Sequence, residues 1–139
     1  MGENTLATLI AIALAAHVLS AVFWAGSTFT LVRLSGLGGE RLVLPQAGAA
    51  IVAIATGGYL WHTLHGDSFG TFEQVLLCGA AAALIAILLQ ASVGFGTLAA
   101  LRRERLDDTS AQRRIAMAQR FAAGLLAITV VCMAAGRYV

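Results

Sequence analysis

Apolar residues fall along this chain in four long runs, about Thr5–Val32, Pro45–Leu64, Gln74–Leu101 and Ile115–Ala135, separated by short polar or glycine-rich stretches. Each run has the roughly 20 residues that a helix needs to cross the hydrocarbon core of a bilayer. A water-soluble bundle would carry a polar stripe along every helix, and none of the four runs has one. The pattern predicts an all-α integral membrane protein, a single transmembrane domain over residues 1–139 built as a four-helix bundle with up-down topology. Met1–Asn4 is short and acidic, without a basic leader or a small-residue cleavage site. The first run is also too long for a signal-peptide core, so it is expected to remain as a span.

Charge adds an orientation. The loop after the first run carries Arg33 and Arg41, and the loop after the third carries Arg102, Arg103, Arg105, Arg113 and Arg114, with Arg120 just beyond. Glu3, Asp67, Glu73 and the single arginine Arg137 fall on the opposite side. Arginine-rich loops stay in the cytoplasm, so both termini and the Gly66–Phe72 loop are expected on the non-cytoplasmic side, in a bacterial inner membrane. The net charge of +2 is this topological signal and gives no nucleic-acid surface. The lipid bilayer is the expected partner, and a bundle rich in alanine and glycine is compatible with a homo-oligomer.

Connectors and punctuation are plain. Ser35–Glu40 is a glycine-rich stretch with no strand before it and no Lys-Ser/Thr pair after it, which reads as a flexible connector and not a phosphate loop. Pro45, the only proline, is expected in the first turn of the second helix. Gln90 and Ser92 are the polar points of the third run, and Gln90 is expected to bond another helix. Cys78 and Cys132 fit no zinc or redox spacing and read as buried thiols.

The candidate chemistry is histidine. His17 sits deep in the first run, seven residues before Trp24 and on the same helical face. An ionisable residue inside a span is costly and marks a functional site whose partner has to be found. Gly58, His62 and His65 share one face of the second helix, and Tyr59 and Trp61 fit an interfacial belt. With the first turn centred near residue 39 or 40, an antiparallel hairpin sets His17 opposite residue 62. One outer layer then gathers His17, His62, His65 and Arg137.

Two histidines at matched depth are a metal pair, and haem iron takes axial histidine. His17 and His62 are therefore the expected ligands of a b-type haem, with His65 as the substitute. Trp24 and Gly58 would line the macrocycle and Arg137 would meet a propionate. Copper is the rival, since imidazole suits it, although Met117 and Met133 fall outside the His17 layer in this register. The plainest alternative is a structural subunit without a cofactor, in which His17 bonds a neighbouring helix and the other two histidines are wet. No Ser/His/Asp set and no paired carboxylates occur in any span, so hydrolysis has no support.

His17, Trp24 and Gly26 together resemble the first helix of the copper-resistance protein D (CopD-like) membrane domain. The longer pattern His17, Trp24, Arg33-Leu34 also resembles the HemJ-type protoporphyrinogen oxidases. Those are small four-helix membrane proteins with a haem-ligating histidine in the first helix. The resemblance covers about eighteen residues. It departs at Thr30 and Val32, where the HemJ type has a tyrosine and a proline, and in the absence of lysine. The first likeness implies copper binding or transport. The second implies a haem-binding redox protein, with a quinone or a porphyrin as the redox partner or substrate. Two protein ligands on the iron would suit electron transfer, and one would leave a position open for porphyrinogen oxidation.

Overall fold

A computed structural model describes residues 2–65, 69–136 and 138. Among them are four helices, α1 (Glu3–Arg33), α2 (Gly39–Leu64), α3 (Thr71–Arg102) and α4 (Asp108–Gly136), and no strand. All four are long and apolar enough to cross a membrane. At 1.5 Å per residue the 31 residues of α1 reach well beyond a hydrocarbon core about 30 Å thick. Large apolar side chains such as Leu19, Val22, Leu88 and Phe121 point outward, as a lipid-facing surface requires.

Helix α2 starts at Gly39, six residues earlier than the hydropathy pattern suggests, so Pro45 lies inside the helix and outside its first turn. Its missing N–H removes the helical bond to the Arg41 carbonyl, in the first turn of the helix. The α1–α2 connection is not a flexible linker. The Gly36 amide bonds Leu31 O at 2.8 Å and the Ser35 amide bonds Val32 O at 3.3 Å, the paired bonds of a Schellman turn. Ser35 takes the left-handed conformation. The same turn closes α3, where Arg105 bonds Ala100 O, Glu104 bonds Leu101 O, and Glu104 is left-handed. At the start of α4, the Asp107 carboxylate accepts the Ser110 amide at 3.2 Å. Hydrogen bonds from Ser110 hold that carboxyl below its ordinary range.

Both arginine-bearing turns lie at one end of the bundle. Gln112 of α4 donates to Ser35 O across 3.1 Å, and Gly36 is pressed against the α4 backbone. Contacts along α1 and α2 run in opposite chain directions, Leu31 meeting Gly39, Thr28 meeting Gln46, and His17 meeting Ala53. In the second hairpin Gln90 meets Gln119, Gly79 meets Cys132 and Phe72 meets Gly136.

Small residues fill the centre. Ala50, Ala86 and Ala122 are fully buried, with Ala53, Ala83, Leu126 and Trp24 around them. This is the usual means by which helices approach closely in lipid, where apolar area alone gives no driving force. Below Trp24 the core is polar. The indole N–H of Trp24 donates to Gln90 Oε1 at 2.6 Å. Gln90 Nε2 donates to Gln119 Oε1 at 2.8 Å and to Thr28 Oγ1 at 3.0 Å. Gln119 donates to Gln46 Oε1 at 2.9 Å, and Gln46 returns to Ser27 Oγ at 3.0 Å. The circuit leaves α1 and comes back to it after touching every helix. The space beside it is about 20 Å³, room for a water and not for a ligand.

Two stability predictions follow from these contacts. A Cβ on Gly36 would lie 2.6 Å from Gln112 O and 2.9 Å from Ala116 N, at a φ of +80°, whereas Gly38 at +72° faces open space. Gly38→Ala should cost only the left-handed penalty, about 1–2 kcal/mol. Gly36→Ala should cost clearly more, read as a larger drop in thermal midpoint in the same detergent. Gln90→Leu removes the acceptor of the Trp24 indole and one donor to Gln119, and should destabilise by about 2–3 kcal/mol. Equal stability of Gln90→Leu and the parent chain would mean that the amide circuit does not hold the helices.

Candidate functional site

On the other side of Trp24 from the glutamines, all four helices line a cavity of about 400 Å³. This is within the usual range for small-molecule and cofactor sites. His17, Trp24, Gly57, Gly58, Trp61 and Met133 are among its lining residues, and the remainder are aliphatic apart from Thr129. Among the described residues no charged side chain lines it.

The seat of His17 is specific. Its Nδ1 lies 2.8 Å from Ala53 O and 3.3 Å from Thr56 Oγ1. A carbonyl oxygen only accepts, so Nδ1 carries the hydrogen and donates it to Ala53 O. In a neutral imidazole this leaves Nε2 as the ring nitrogen with a free lone pair. Thr56 spends its own hydroxyl hydrogen on the helix, with Val52 O at 2.6 Å. The ring rests on Gly57, where a Cβ would come within 3.0 Å of Cε1 and 3.3 Å of Nδ1. A side chain here would press on the ring, which would have to give by a few tenths of an ångström. An imidazole with one nitrogen fixed on a backbone carbonyl is the arrangement that orients a histidine metal ligand.

The expected pairing of His17 with residue 62 does not hold. The turn between Arg33 and Gly39 is centred at Gly36, nearer the N-terminus than the hydropathy pattern indicates, because α2 begins before Pro45. Reflection about residue 36 takes His17 to residue 55, in agreement with its contacts to Ala53, Thr56 and Gly57. His62 is two turns further along, roughly 10 Å away along the helix, and is exposed. His65 stacks between Trp61 and Phe72, with ring centroids 5.2 Å from each. His65 Nδ1 is buried without a hydrogen-bond partner. His65 thus backs the Trp61 ring, and neither His62 nor His65 lines the cavity. Arg137 and Asp67 lie outside the described residues.

Trp24 and Gly58 line the cavity, and Gly58 leaves open space where a Cβ would be. Met133 was placed outside the His17 layer by the register argument, yet it faces the same cavity from α4. Gly57, Thr129 and Met133 are the site residues that the sequence reading missed. Gly57 could have been found from a turn centred on Gly36. Met133 could not, since its position depends on how α4 packs against the α1–α2 hairpin. Cys132 is half-buried and Cys78 is exposed, contrary to the expectation that both are buried, and neither lines the cavity. Among the described residues no three His, Cys, Asp or Glu side chains converge on one point.

The arrangement offers one oriented imidazole nitrogen, a thioether on the facing helix, two indoles and an apolar wall. Comparisons with protein-family models, with curated proteins and with solved structures each find no match.

The tautomer is directly measurable. Nitrogen-15 spectra of histidine-labelled protein, with the cavity free of metal, should show His17 protonated at Nδ1. A signal for the Nε2–H form would contradict the Ala53 contact. Gly57→Val should displace the ring, abolishing that signature while the thermal midpoint falls by no more than a few degrees.

Proposed function

We propose that this chain is an integral membrane redox protein that holds b-type haem in the apolar cavity, with His17 Nε2 as the axial ligand. The observation that carries the reading is the His17–Ala53 hydrogen bond, which would leave Nε2 free to ligate, on a residue that lines the cavity together with Trp24 and Trp61. Haem supplies one-electron chemistry when bound. The chain's own part is to fix the imidazole on Ala53 and Gly57, exclude water with aliphatic side chains, and flank the cavity with indoles. Among the described residues the lining has no charge to meet the propionates, and Arg137, expected in that role, lies outside the described residues.

Two roles follow from the number of axial ligands. With His17 alone, the second face of the iron is open to oxidation chemistry on a substrate such as a porphyrinogen. With a second protein ligand, the natural role is electron transfer from a membrane quinone to an acceptor outside. Met133 is the cavity residue that could serve as that second ligand, and His62 would need α2 to move. The arginine-bearing turns would face the cytoplasm, and the termini would lie outside the inner membrane of a bacterium.

Copper is the second reading, favoured by one observation. His17 and the Met133 thioether line the same cavity, and a soft donor beside an imidazole suits Cu(I). In that case the protein binds or conducts copper.

A reduced-minus-oxidised visible spectrum of the detergent-purified protein, with metal analysis on the same sample, separates these readings. Sharp b-type bands with about one iron per chain, lost in His17→Leu while the protein stays folded, are the expected result. A colourless preparation holding copper moves the assignment to the second reading. A folded protein with neither, after expression with ample haem and copper, rejects both.

A further inference from the structure

At the arginine-bearing end a second groove of about 410 Å³ opens between α3 and α4, lined by Leu89, Val93, Thr97, Arg113, Arg114 and Met117. Its floor is apolar and its rim carries two guanidinium groups. Thr97 is only 1 % exposed, and its hydroxyl is buried without a hydrogen-bond partner. A buried hydroxyl left unbonded is costly, and the other buried threonines, Thr28 and Thr129, are both bonded. Thr97 lies five residues before the end of α3 and Arg113 five residues into α4. Both are therefore about 7.5 Å inside the helix ends, the depth at which headgroup gives way to acyl chain in a membrane-spanning bundle.

We propose that this groove binds one anionic phospholipid of the leaflet at the arginine-bearing end. Arg113 and Arg114 hold its phosphate as charge-assisted donors. Rotation of the Thr97 side chain would bring its unpartnered hydroxyl to an oxygen of the glycerol-ester region, and the first acyl carbons lie on Leu89 and Met117. A free inorganic anion would satisfy the arginines and leave the apolar floor bare, so the groove as a whole fits an amphiphile.

The test is native mass spectrometry of the full chain in a nonionic detergent, offered equal amounts of phosphatidylglycerol and phosphatidylcholine. The wild-type protein should retain phosphatidylglycerol preferentially. Each of Arg113→Gln and Arg114→Gln should reduce that preference about fivefold, the equivalent of about 1 kcal/mol per arginine. Arg105→Gln, at the same end but outside the groove, should leave it unchanged. Thr97→Val should weaken retention of phosphatidylglycerol without lowering the thermal midpoint of the delipidated protein. Three outcomes overturn the site: an equal loss in Arg105→Gln, a preference that survives the Arg113→Gln/Arg114→Gln double variant, or displacement of the lipid by millimolar inorganic phosphate.

Discussion

A primary amide inside a membrane bundle has two donors and an acceptor that lipid cannot satisfy. Gln46, Gln90 and Gln119 come from three different helices, and they solve this problem through one another and through Trp24, Ser27 and Thr28 of α1. Their bonds have a direction, from the Trp24 indole through Gln90, Gln119 and Gln46 back to Ser27 and Thr28 on α1. Rotating any one helix about its axis would carry an amide away from its partners. The interaction is worth a modest amount per bond, but it fixes the mutual rotation of four helices whose outer surfaces are otherwise interchangeable leucine and alanine.

Everything above the amide layer inherits that rotation. Trp24 is held by Gln90 with its ring plane at the base of the cavity. Seven residues away, two turns along the same face, His17 arrives over Ala53 and Gly57. Small side chains at Ala50, Ala86 and Ala122 bring the helices together at the core. The cavity lies toward the terminal end, between the α1–α2 and α3–α4 hairpins, each of which stays closely packed there, His17 on Gly57 and Cys132 on Gly79.

The two ends of the bundle are chemically distinct. One carries both Schellman turns, the arginines beside them and the groove at Thr97. The other carries the His65 stack with Trp61 and Phe72. The cavity with His17 lies nearer the second, separated from the first by the amide layer. The space beside the amide layer is about 20 Å³, room for a water.

Hydropathy alone determined that the chain makes four membrane-length helices, because an apolar run of that length has no other way to satisfy its backbone in lipid. It also singled out His17, Trp24 and Gln90, whose polar groups stand out against apolar surroundings. What only the tertiary structure decided was register and rotation. Hydropathy marks where polarity changes and not where a helix begins, so the polar turn of α2 before Pro45 was invisible, and with it the true centre of the hairpin at Gly36. That shift exchanged His62 for Ala53 and Gly57 as the neighbours of His17. Met133 reached the cavity through the packing of α4, which rests on amides and small-residue contacts that no single run of sequence contains.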